Sequence, residues 1–122
     1  MAIPSRLMGS SAPAALAVGI CGDVVDTITA AGTTNADATG LSAAINRVTT
    51  AAASTGVRLM APEQGSQVAV INSGANAVLV YPSTGASINA LTATTGGFSV
   101  AAGGRALFIG TGSANWFAVL SA

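Results

Sequence analysis

The chain lacks lysine and histidine, holds one cysteine, and carries only eight charged side chains among 122 residues, four arginines and four acids. Each shortage removes a class of chemistry. Without histidine there is no Ser-His-Asp or Cys-His relay and no imidazole ligand for a metal. Without lysine a phosphate-cradling loop of the Walker type has no cation, and no glycine fingerprint for a dinucleotide is present either. A lone Cys21 cannot form an intrachain disulfide, and a buried thiol is expected there. The four arginines, Arg6, Arg47, Arg58 and Arg105, are scattered, whereas a phosphate backbone is held by clustered cations, so nucleic acid is not an expected partner. No apolar run approaches the roughly 18 residues a membrane helix requires, and no membrane partner is expected.

The acids offer little more. Paired carboxylates for acid-base work or metal binding are conceivable through Asp23, Asp26 and Asp37. On an extended strand, positions 23 and 26 point to opposite faces, so solvated acids are the plainer reading. Neither an enzyme activity, a cofactor, a metal site nor a small-molecule substrate is therefore expected.

What is abundant is apolar surface: 51% of residues are hydrophobic and the formal net charge is zero. Monomers usually stay soluble by carrying net charge, so much of this surface is expected to be covered by neighbours in an assembly.

Residues 1 to 22 read as an extended arm and 23 to 122 as one β-domain. Pro4, Gly9, Pro13, Gly19 and Gly22 break any helix in the arm, leaving Ile3, Leu7, Met8, Leu16, Val18 and Ile20 in need of a partner, either a neighbouring subunit or the arm's own domain. Arg6, the apolar run Ala12 to Ile20 and Cys21 together imitate a lipoprotein leader. Pro13 and Gly19 interrupt that run, and Ile20 is too large to precede a lipidated cysteine, so a protein made in the cytoplasm is expected.

Beyond the arm, β-branched runs recur every eight to twelve residues between glycine-rich turns. Strands are expected at Val24 to Ala30, Asn46 to Ala52 and Val57 to Ala61, although Leu41 to Thr50 also carries a helical spacing. Val68 to Ile71 and Val78 to Tyr81 flank Asn-Ser-Gly-Ala-Asn at 72 to 76 like a β-hairpin, with Gly74 supplying a positive φ. A strand over Ser87 to Leu91 follows, then Phe98 to Ala102, Ala106 to Ile109 and Trp116 to Leu120. This rhythm predicts an all-β module, a small sandwich, jelly roll or barrel. Both faces of the last strands are apolar, so one can fill the core while the other meets a partner. Trp116 and Phe117 could stack on sugars or bases, but core or interface anchors are the commoner use of such a pair. The threonine runs Thr49-Thr50 and Thr92 to Thr95 lack the fixed period of an ice-binding ladder and read as turns and strand edges.

The run Val-Ile-Asn-Ser-Gly-Ala-Asn-Ala-Val-Leu-Val-Tyr-Pro-Ser-Thr-Gly-Ala-Ser-Ile-Asn-Ala-Leu, followed by Phe-Ser-Val-Ala-Ala-Gly-Gly-Arg-Ala-Leu-Phe-Ile and Asn-Trp-Phe-Ala-Val-Leu, resembles the small head-decoration, or cement, proteins of tailed bacteriophages. The likeness covers about residues 24 to 120 and is a pattern of strands and turns. It implies a non-enzymatic virion protein on the outer surface of the capsid, commonly a homotrimer, that bridges neighbouring capsomers of the major capsid protein. Ile3, Arg6, Leu7, Met8, Leu16, Val18, Trp116 and Phe117 are the candidate interface residues. The same fold would also serve a carbohydrate-binding or host-adhesion module.

Overall fold

The computed structural model describes Pro13 and residues 22–121. Among the described residues there are ten strands and no helix: β1 (Val24–Thr29), β2 (Thr39–Gly40), β3 (Ile45–Thr50), β4 (Gly56–Arg58), β5 (Gln67–Asn72), β6 (Val78–Tyr81), β7 (Ser87–Ile88), β8 (Phe98–Val100), β9 (Arg105–Gly110) and β10 (Asn115–Leu120). The chain is all-β, as its β-branched runs predict. The ambiguous stretch at 41 to 50 resolves into β3, where Val48 and Thr49 favour a pleated backbone over a helix. The two-residue β2 has no counterpart among the expected strands.

The strands form two sheets. The larger runs β1-β3-β5-β9-β10-β7, the smaller β2-β4-β6-β8. Through β6 the chain alternates between them, and each strand lies parallel to the one laid down a turn earlier: β1, β3 and β5 in the large sheet, β2, β4 and β6 in the small one. The C-terminal part closes both sheets differently. β8 adds to β6 and β9 to β5, both antiparallel, while β10 pairs β9 and takes β7 in parallel at the far edge.

This winding overturns the expected hairpin at 67 to 81. β5 has both edges occupied, by β3 and β9, and β6 pairs with β4 and β8, so the turn between them carries the chain from one sheet to the other. Both strands still bury alternate residues, but against opposite sides of the shared core: Val68 and Val70 from the large sheet, Val78 and Val80 from the small one. The turn at 101 to 104 switches sheets in the same way, so β9 and β10 form the true hairpin. Gly74 is not in the positive-φ region, which is occupied by Gly22, Gly32, Gly65, Gly85 and Gly103. Space is the reason for glycine at 74, since a Cβ there would stand 2.9 Å from the Cβ of Ala51. The strand expected over 87 to 91 ends at Ile88.

Valines from both sheets, with Ile88, Leu59, Phe108 and Trp116, fill the core. The rings of Phe98 on the small sheet and Phe108 on the large one meet edge to face, centroids 5.6 Å apart. Burying each such side chain contributes roughly 1.5–3 kcal/mol, which is how so short a chain offsets the ordering of its many loops. Two asparagines sit among them. Asn72, at the sheet switch, donates through Nδ2 to the carbonyls of Asn76, Val100 and Ala101 and accepts the Gly74 amide on Oδ1, stitching two turns to each other. Asn46 donates to the carbonyls of Ala43 and Ala69.

Candidate interaction surface

The outward side of the large sheet carries an apolar band of its own. Alternation along each strand turns one set of residues to the core and the other out. Cross-strand register then aligns the outer set into rows. Val24 pairs Ile45, Ile45 pairs Ala69, Ala69 pairs Leu107 and Leu107 pairs Val119, an unbroken aliphatic row over five strands. On one side of it lie Gln67, Ile109 and Phe117, on the other Arg47, Ile71 and Arg105. The row ends are the most open, Val24 at 58% and Val119 at 59% exposed, with Phe117 at 49% and Leu120 at 51% beside Val119. Between β5, β9 and the end of β10 the surface dips into an open groove of about 340 Å³ bounded by Ala69, Ile71, Leu107, Val119 and Leu120.

Scattered exposed leucines need no explanation, but a contiguous apolar sheet face is the usual mark of an interaction surface. Charge stays at its border. Arg47 meets Asp26 at 3.2 Å, both exposed, an ion pair of a kind worth less than about 1 kcal/mol in water. Arg105 stands at the opposite rim and lines one side of the groove.

Each of the three aspartates has a separate structural partner. Asp23 accepts the Ala44 amide on Oδ1 and fixes the start of β1 beside β3. Asp26 faces Arg47. Asp37 closes the loop after β1, accepting the Thr34 hydroxyl at 2.8 Å and the amides of Thr34 and Thr33. The Thr34 hydroxyl, with those amides, holds the Asp37 carboxyl below the usual carboxylate range. The same loop is tied to the small sheet, since the Tyr81 hydroxyl donates to the Thr33 carbonyl and Arg58 donates to that of Asn35.

The structure separates the expected Trp116-Phe117 pair. Trp116 is fully buried, so it anchors the core and is corrected as an interface residue; Phe117, one residue on, faces out beside Val119. Ile3, Arg6, Leu7, Met8, Leu16 and Val18, with Cys21, lie outside the described residues. Sequence reading anticipated two apolar faces on β9 and β10 but not Val24, Ile45 or Ala69, because those join the surface only through pairings between strands distant in sequence. No family model matches the chain, and no curated protein or solved structure matches it either.

Proposed function

We propose that this chain is a non-enzymatic structural module that decorates the exterior of a bacteriophage head, seated on the major capsid protein as a homotrimer that bridges neighbouring capsomers. The observation that carries the reading is the aliphatic row from Val24 to Val119, a surface with the composition of a protein interface and no charge within it. The near absence of ionic groups supports it, because a chain with so little charge gains solubility by being covered. Two attachment surfaces follow: the outer face of the large sheet, and the apolar segment 1 to 22 with Ile3, Arg6, Leu7, Met8, Leu16 and Val18. The likeness to cement proteins supplies the capsid as the partner.

The test is co-sedimentation of the purified chain with intact phage heads. Saturable binding is expected, and the double substitution Phe117→Asp, Val119→Asp should abolish it while leaving the circular dichroism spectrum intact. Heads that sediment without the chain would sink the reading. The exposed ring of Phe117, with Gln67 two strands away in the same row, is the one feature that favours the carbohydrate-binding alternative. Glycan-array binding lost on Phe117→Ala would identify that alternative; Trp116→Ala is not a suitable probe, because it removes a core side chain.

A further inference from the structure

We propose that the outer face of the large sheet is self-complementary and that a second copy of this chain docks on it, giving the free protein as a two-fold dimer. The inference goes beyond the capsid reading and does not rest on it, since it concerns the chain before any shell is present.

Shape is the first argument. The aliphatic row from Val24 to Val119 divides the face into two unlike sides. On one, Phe117 stands out half-exposed, with Ile109 beside it on β9. On the other, the surface dips into the groove of about 340 Å³ bounded by Ile71, Leu120 and Ser121 among others. A two-fold axis lying along the aliphatic row exchanges the sides. Phe117 precedes Val119 by two residues and Ser121 follows it by two, so each Phe117 ring comes to stand over Ser121 and Leu120 of the other copy, at the β10 end of its groove. A projecting ring and a hollow meet twice in one isologous contact. The strands of the two copies run antiparallel across it, aligned as stacked sheets ordinarily are.

Charge is the second. Arg47 and Arg105 flank Ile71 in a single row on the groove side, with Asp26 next to Arg47, whereas Gln67, Ile109 and Phe117 on the other side carry no charge. The axis along the aliphatic row therefore sets a charged border against an uncharged one. Arg105, which has no carboxylate partner among the described residues, comes beside the Phe117 ring of the other copy, whose π face suits a guanidinium. An axis along the strands through β5 would instead stack Arg47 on Arg105, like charge on like. Area is the third. Five six-residue strands spaced about 4.8 Å apart cover roughly 24 by 20 Å in projection, close to roughly 1,000 Å² over two copies. That is the lower end of specific interfaces, so the dimer is expected to dissociate in the micromolar range.

The test uses the full chain. Analytical sedimentation from micromolar to near-millimolar concentration should follow a monomer-dimer equilibrium, and Phe117→Asp should leave monomer throughout with the circular dichroism spectrum of the parent. Arg105→Gln should raise the dissociation constant roughly two- to fivefold. The axis is located by crosslinking with a short bis-maleimide in a Cys21→Ser background. Val119→Cys lies on the axis and should join to its own copy, whereas Gln67→Cys, two residues off it, should not. Linkage through Gln67→Cys, or none through Val119→Cys, would overturn the proposal. So would a parent chain that stays monomeric across the whole range, or an oligomer that persists in Phe117→Asp. Co-sedimentation of the parent chain with heads reads the capsid proposal separately, so either can fail alone.

Discussion

Gly74 and Ala51 approach so closely that a Cβ on the glycine would stand 2.9 Å from both the Cβ and the amide nitrogen of the alanine. The contact lies where the sheet switch after β5 passes the end of β3, and backbone rather than a flexible side chain would have to move. Gly74→Val should therefore destabilise the domain by about 1–3 kcal/mol, an overpacking cost. Gly112→Ala, with open space around it and no positive φ, should stay within about 0.5 kcal/mol of the parent. Chemical denaturation of the two variants checks this, and equal losses would show the close approach to be unimportant.

Trp116 and Phe117 should behave as opposites. Trp116→Ala empties a fully buried site and is expected to cost about 3–5 kcal/mol. Phe117→Ala removes a half-exposed ring and should cost less than about 1 kcal/mol while reducing attachment to a partner. Paired thermal melts decide it.

Of Asn46 and Asn72, the two asparagines within the core, Asn72 should be the less replaceable. Asn72→Ala leaves three carbonyls and the Gly74 amide without their side-chain partner, an expected loss of about 2 kcal/mol or more. Asn46→Ala removes only two donated bonds, and its Oδ1 has no hydrogen-bond partner among the described residues, so the loss should be smaller. Denaturation midpoints in the same buffer give the ranking.

Asp37 sets an acid limit on its loop. Its carboxyl pKa is lowered in the folded chain, chiefly by the Thr34 hydroxyl, so the ionised form is favoured by folding. That stabilisation is present above the unfolded-state pKa of the group and is lost as pH falls through the folded-state value. The difference in melting temperature between the parent and Asp37→Asn should thus be largest near neutrality and vanish in acid. A difference independent of pH would show that the side chain acts through its shape alone.

Strand positions were legible because β-branched residues and alternation mark them locally: β1, β3, β9 and β10 fall where Val24-Val25, Val48-Thr49, Leu107-Phe108 and Trp116-Phe117 place them. Their partners were not. Asn-Ser-Gly at 72 to 74 can turn a chain back along its own sheet or pass it to the other, and the choice is made by β3 and β9 occupying both edges of β5. For the same reason the interaction surface was half visible. Phe117 and Val119 show an outward apolar side within one strand, while Val24, Ile45 and Ala69 reach the same row through a succession of pairings between strands distant in sequence.

The place of β9 between β5 and β10 also governs when the protein can fold. A ribosome delivers the wound N-terminal part first, yet the edge of β5 stays bare, and Val68 and Val70 lack Phe108 and Trp116 beside them in the sheet, until β9 and β10 emerge. The parallel pairs each close a loop of roughly twenty residues, an entropic cost that non-local contacts must repay, whereas the β9-β10 hairpin is local. The β5 edge is therefore completed late, with the local C-terminal hairpin as the template on which the earlier strands settle.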